Sequence, residues 1–211
     1  MSLKDNRREY DYGTLSRASL HDNPFTQFSL WMDQAIKADI IDPTAMSVAT
    51  VGEGGKPWQR MVLLKGFDER GFVFYTNLGS RKATDIATNP HVSLQFPWLQ
   101  LDRQVIVGGS AEALSESEVS DYFYSRPLSS QLAAWASQQS SPIESRAALE
   151  AQFEAVKQKF SSGNVTVPDF WSGFRVVPEE FEFWQGGENR LHDRFSFQRQ
   201  EHQWNISRLS P

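Results

Sequence analysis

The 211-residue sequence contains no cysteine. Disulfides, thiolate nucleophiles and cysteine-ligated zinc or iron–sulfur centres are therefore excluded. The four histidines, His21, His91, His192 and His202, are scattered and form no HExxH pair, so their pattern offers no metal site. Neither GxGxxG nor GxxxxGK[ST] occurs, which removes the signatures of a Rossmann dinucleotide site and of a P-loop. No GxSxG elbow supports serine hydrolysis. No apolar run approaches the length of a membrane span, and the polar start MSLKDNRREY does not read as a signal peptide, so a reducing cytoplasm is the expected location. Positive charge is not in excess either. A net charge of -5 argues against a general nucleic-acid footprint, and any cation cluster must be local and aimed at a small anion.

What is present describes an ordinary globular chain: 39% hydrophobic residues, 13% aromatic, and a length suited to one domain with a sizeable core. Residues 1 to about 20 are polar and aperiodic, a candidate flexible arm, which leaves 21–211 as one domain. Asn23-Pro24 opens a helix with Asn as cap and Pro at the first helical position; Phe25, Phe28, Trp31, Met32, Ala35 and Ile36 give its apolar face, and Asp42-Pro43 ends it. Strands are predicted at 45–51, 58–67, 71–77, 91–98 and 103–114. A last group of strands follows in FRVVPEEFEFWQ, RLHDRFSFQR and QWNISRL. Two capping-box patterns, Ser115 with Glu118 and Ser141 with Glu144, start helices in between. The expected fold is mainly β with peripheral helices, an antiparallel barrel closed or partly closed.

Three segments concentrate cations. In YTNLGSRKATDI, Ser80 can cap a helix whose first turn holds Arg81 and Lys82. Cations there oppose the helix dipole, which makes sense if a phosphate lies against the helix N-terminus; a solvated pair of surface cations is the equal alternative. In RMVLLK, Arg60 and Lys65 have opposite parity on a regular strand and share a face only if the strand bends. In ENRLHDRF, Arg190, His192 and Arg194 fall at alternate positions, so a strand would place all three on one face. From the residues alone this is a barrel that binds one or two phosphorylated small molecules.

The segments RMVLLKGFDERGFVFYTNLGSRKATDI, YFYSRPLSSQLAAWASQQSS and FWQGGENRLHDRF closely resemble the pyridoxamine 5'-phosphate oxidase family, and the likeness runs from RREY at Arg7 to Pro211. The resemblance implies an FMN-binding split β-barrel homodimer with the flavin at the subunit interface. Its implied reaction is oxidation of pyridoxamine or pyridoxine 5'-phosphate to pyridoxal 5'-phosphate, with O2 as acceptor and H2O2 as by-product. Carried over by motif, the FMN phosphate meets Arg60, Ser80, Arg81, Lys82, Gln139 and Ser140. Met61, Val62, Leu63, Leu64, Lys65, Tyr75 and Thr76 line the flavin, and Gln104, Trp184 and Arg194 approach its ring system. The substrate phosphate meets Lys65, Tyr122, Arg126 and Ser130. Arg190 and His192 are the implied catalytic pair holding the pyridine ring, with Leu191 between them, and Arg7, Arg8, Glu9 and Tyr10 form a lid. Positive charge from Arg194 would favour the reduced flavin. Leu128 stands where a further Arg is frequent in relatives. Two rivals remain: a split-barrel flavin reductase with another substrate, and a non-catalytic carrier of FMN or pyridoxal phosphate.

Overall fold

The computed structural model describes residue 4, residues 8–201 and residues 203–211. Nine strands form one antiparallel sheet: β1 (Ala45–Val51), β2 (Pro57–Leu63), β3 (Gly66–Asp68), β4 (Gly71–Asn77), β5 (His91–Trp98), β6 (Arg103–Ala113), β7 (Trp171–Gln185), β8 (Asp193–Gln200) and β9 (Gln203–Leu209). The strand order is β2-β1-β5-β6-β7-β4-β3, with β8 and β9 added beside β7. β7 is long enough to serve two neighbours on one edge. Its first half pairs with β4 through Phe72↔Val176 to Asn77↔Trp171, and its second half pairs with β8 through Glu180↔Gln198 to Gln185↔Asp193.

The barrel is split at one place. β2 and β3 stand at opposite ends of the strand order, yet only Leu64 and Lys65 separate them in sequence. The Leu64 N–H donates to Thr44 O on one side, and the next N–H, of Lys65, donates to Val73 O on the other. The predicted single strand 58–67 is therefore two. The break answers the parity conflict: Arg60 stays on β2, and Lys65 is released from its alternation and lines the same cavity. Leu64 turns the other way into the core at 5% exposure.

Aromatic side chains fill the barrel. Phe28 from α1 (Pro24–Lys37) is fully buried against Phe67, Phe72, Phe96 and Trp98. Phe181, Phe183, Phe195 and Phe197 continue the core beneath β7 and β8. Each such ring contributes roughly 1.5–3 kcal/mol of burial. Asn23 caps α1 as expected, its Oδ1 accepting from Phe25 N–H at 2.8 Å. The helix ends at Lys37 rather than at Asp42-Pro43, because Asp39 already adopts a left-handed φ of 52°. The arm expectation is also too long: Leu15 and Leu20 are buried in the core, and a short 3-10 turn spans Arg17–Ser19.

A second core cluster lies under α3 (Glu116–Ser125), α4 (Leu128–Ala136) and α5 (Arg146–Lys159), around Phe123, Leu132 and Trp171. The Ser115–Glu118 capping box forms. The Ser141–Glu144 box does not; Ser145 caps α5, accepting from Ala148 N–H at 3.1 Å. α2 (Arg81–Thr88) begins where predicted, but the Ser80 hydroxyl makes no capping bond.

Candidate active site

A cavity of about 1020 Å³ opens along the split and is lined from β2, β4, α2, α4 and the loop after α4. Its first polar group holds Arg60, Thr76, Arg81, Lys82, Gln139 and Ser140. The Ser80 side chain is withdrawn from capping because it serves Lys82 instead. Lys82 Nζ donates to Thr76 Oγ1 and Gln139 Oε1, both at 2.9 Å, and to Ser80 Oγ at 3.2 Å. All three acceptors are neutral. Burial, and after it the neighbouring Arg60, push this ammonium down to about 8. Burial also lowers Arg60, with Asp85 opposing. Arg60 Nη1 donates to Thr50 Oγ1 at 2.7 Å and to Val48 O at 3.2 Å, while its Nη2 is buried with no hydrogen-bond partner among the described residues. Arg81 lies 4.1 Å over the Trp58 ring.

The second group comprises Lys65, Tyr122, Arg126 and Ser130. Tyr122 stacks on Tyr75 at 4.0 Å, and Tyr75 stacks on Trp171 at 5.3 Å. Arg126 lies 4.9 Å over the Trp171 ring, is lowered by burial, and leaves Nη1 buried and unpartnered among the described residues. Burial, and then Glu118, hold the Tyr75 phenol up, and its hydroxyl donates to Glu118 O at 3.3 Å. A buried donor with no acceptor costs about 1–3 kcal/mol, and more when charged. Both arginines, Arg60 and Arg126, line one cavity, a site suited to two anionic ligand groups. Met61, Val62 and Leu63 give the cavity an apolar wall.

A different region gathers most of the other expected residues, and none of them lines that cavity. Gln104, Trp184 and Arg194 are direct cross-strand neighbours on β6, β7 and β8, so their side chains form one row on one face. His192 lies 4.7 Å from Trp184, and Tyr10 packs edge-on against both, at 5.4 Å and 5.8 Å. Gly186 is required beneath Tyr10, since a Cβ there would lie 2.8 Å from the ring. Arg8 pairs with Asp102, and Glu9 accepts from the Asn189 N–H at 3.3 Å. Arg7 lies outside the described residues.

The strand predicted for 190–199 needs correction: β8 begins at Asp193. Asn189 and Arg190 both have left-handed φ, 53° and 62°, in a 3-10 turn over Glu188–Arg190. Alternation therefore does not place Arg190 and His192 on the Arg194 face. Instead His192 is fixed locally, its Nδ1 accepting from the Gly187 N–H at 3.2 Å, which leaves Nε2 to carry the proton in the neutral ring. Arg190 and Leu191 are exposed. Arg194 is held bidentately by Glu182 at 2.9 Å, which offsets its charge and weakens an electrostatic role toward a flavin.

Residues 32–160 match the model of the family described as pyridoxamine 5'-phosphate oxidase. The chain belongs to that family. The pyridoxine/pyridoxamine 5'-phosphate oxidase of Vibrio cholerae (strain M66-2) is 57% identical over 211 residues, covering all of both chains. The protein of the same name from Serratia proteamaculans (strain 568) is 59% identical over 209 residues, 99% of this chain and 96% of that one. Among solved structures, PhzG from Burkholderia lata 383 in complex with tetrahydrophenazine-1-carboxylic acid matches with a TM-score of 0.86 at 27% identity, covering 94% of this chain and 98% of that one. The fold is the family's split barrel. Residues 171–211 match its C-terminal dimerisation region, which supports a homodimer.

Sequence reasoning missed Trp58, Asn77 and Trp171 in the cavity wall. Asn77 joins two loops of the site: its Nδ2 donates to Ser137 O at 3.1 Å, and its Oδ1 accepts from Gly79 N–H at 2.8 Å. The YTN end of a strand followed by a glycine turn was the available signal.

Proposed function

We propose that this chain oxidises pyridoxine or pyridoxamine 5'-phosphate with FMN, and that one cavity holds both phosphates. The observation that carries the reading is that two partly buried arginines, Arg60 and Arg126, line one cavity of about 1020 Å³ and each keeps one guanidinium nitrogen without a hydrogen bond among the described residues. That volume is at the upper end for small-molecule sites, as two ligands require. Arg60, Arg81 and Lys82 hold the flavin phosphate, with Gln139 and Ser140 closing over it. Lys65, Tyr122, Arg126 and Ser130 hold the phosphate of the vitamer, and the Tyr75–Tyr122–Trp171 stack keeps that subsite rigid.

The chemistry that FMN supplies is two-electron oxidation of the substrate carbon, with O2 as final acceptor and H2O2 as by-product. The protein contributes orientation and charge, and no strong general base is demanded, because the reacting carbon is already activated by its amine or hydroxyl. Arg190 and His192 orient the pyridine ring, and the Gly187 bond sets which His192 nitrogen donates.

Because Gln104, Trp184, Arg190, His192 and Arg194 stand apart from the cavity, we place them over the cavity of a second copy, related by a two-fold axis. Two features support this. Trp58, Met61 and Leu63 on the edge strand β2 are 52%, 58% and 40% exposed beside the cavity, an apolar wall that a partner would cover. The dimerisation region also contains Trp184, Arg190, His192 and Arg194. In the assembled dimer the arm from Arg8 to Tyr10 serves as lid.

The test is direct. The purified protein should be yellow, hold two FMN per dimer, and consume O2 when given pyridoxine 5'-phosphate. Binding without O2 uptake would make it a carrier, and turnover of flavin with no preference for phosphorylated vitamers would make it a different split-barrel enzyme.

A further inference from the structure

Arg60 cannot orient itself. A guanidinium has five N–H donors, and a cavity-facing arginine with free edges would rotate among them. Here one edge is fixed from behind. Thr50, fully buried on β1, accepts from Arg60 Nη1 at 2.7 Å and donates to Asp85 Oδ2 at 2.6 Å. Asp85 sits on α2 one turn beyond Arg81 and Lys82, and its Oδ2 is 3.7 Å from Arg60 Nη2, beyond hydrogen-bond reach.

The direction of the relay follows from the single hydroxyl proton of Thr50. Two acceptors compete for it: Asp85 Oδ2 at 2.6 Å and Trp58 O at 3.4 Å. The short bond to an ionised carboxylate is the stronger by about twofold. The proton therefore goes to Asp85, and a Thr50 lone pair must face Arg60. Gly52 makes room for this, since a Cβ at that position would lie 2.5 Å from Asp85 Oδ1.

We propose that Thr50 and Asp85 are positioning residues that hold Arg60 Nη1 through a fixed-polarity hydroxyl relay and so fix how the guanidinium is presented to the flavin phosphate. This rests on the reading that Arg60 meets that phosphate. Asp85 also places one negative charge behind three cations, limiting their repulsion before the anion arrives.

The test measures dissociation constants of the apoprotein for FMN and for riboflavin, which lacks the phosphate, by flavin fluorescence. Thr50→Val keeps the shape and removes the hydroxyl; it should weaken FMN by about tenfold and leave riboflavin unchanged. Thr50→Ser should restore FMN binding to within about threefold. Asp85→Asn, at a partly exposed helix position, should reproduce the FMN-selective loss and serves if Thr50→Val does not fold. Arg60→Ala is the control for the underlying reading. If Arg60→Ala loses FMN while Thr50→Val and Asp85→Asn bind it normally, the relay is wrong and the phosphate assignment stands. Equal weakening of FMN and riboflavin would make the role merely structural and overturn the proposal. If Arg60→Ala binds FMN normally, the phosphate assignment falls and the relay with it.

Discussion

The cavity along the split and the segment Gly186–Arg194 are built on opposite plans. In the cavity, three of the cations are backed by their own chain: Lys82 has three oxygen acceptors, Arg60 two, and Arg126 an indole face. That region is pre-formed and short only of anions. In the second region Arg190 is exposed in a left-handed conformation, and Leu191 is 72% exposed. There Tyr10 packs edge to face on Trp184 and His192, and none of the three lines the cavity along the split. On the proposed reading, one region supplies the pocket and the other the groups that orient the pyridine ring. If the reaction draws on both, as we propose, a two-fold dimer is the economical way to bring them together.

The largest effect should fall on the incomplete region. Arg190→Ala should reduce kcat/KM for both phosphorylated vitamers on the order of a hundredfold, since small misplacements of the reacting carbon cost that much. The protein should stay yellow, because flavin contacts from the cavity are untouched. Oxygen uptake with the flavin spectrum recorded on the same sample checks it; loss of FMN with normal turnover after reloading would move Arg190 to the cofactor side. Next in size, Arg81→Ala should weaken FMN by roughly tenfold, one charge-assisted bond's worth, in a fluorescence titration.

A smaller effect is set by pH. Phosphate favours the ammonium form of Lys82, so FMN affinity should be highest below about 8 and fall as pH rises through it. Lys82→Met should bind FMN weakly with a flatter pH profile. For stability the sign reverses. The unfolded chain keeps the proton up to the ordinary 10.5, so it binds more protons than the fold between about 8 and 10.5. The flavin-free protein should therefore gain stability across that window, read as a rising urea midpoint. The smallest kinetic effect belongs to Asp193→Ala. Asp193 accepts from Leu15 N–H at 2.8 Å and pairs with Arg208, so its loss should cost about 1–3 kcal/mol of stability while leaving kcat/KM near wild type.

The same contrast explains what was legible in the sequence. β1, β4, β5 and β9 match their predicted limits, because close turns and flanking Gly and Pro punctuate those apolar runs. The cavity cations were legible too, as a misplacement: Arg81 and Lys82 in a first helical turn, and Arg60 and Lys65 at clashing parity. What failed was the segment 190–192. Alternating charge implied a strand, but two consecutive left-handed residues bend the chain before β8 starts; Asn is enriched in that conformation, but Arg is not, so the sequence does not announce the pair. α4 was missed because Pro127 precedes it with no side-chain cap to signal the start. Trp171 reads as one more core tryptophan. Only its position under Arg126, reached through pairing of β7 with β4, gives it a part in the site.

The central claim is that each site draws on two chains, and subunit complementation tests it most directly. Arg126→Ala damages the cavity and Arg190→Ala the segment, so each homodimer should be nearly inactive. When the two variants are unfolded together, refolded with FMN and allowed to pair at random, about half the dimers are mixed, and a composite site gives each of those one intact copy. About a quarter of wild-type kcat/KM should return. No recovery above the parent variants, in a mixture shown to contain heterodimers, would mean that cavity and segment act within the same chain.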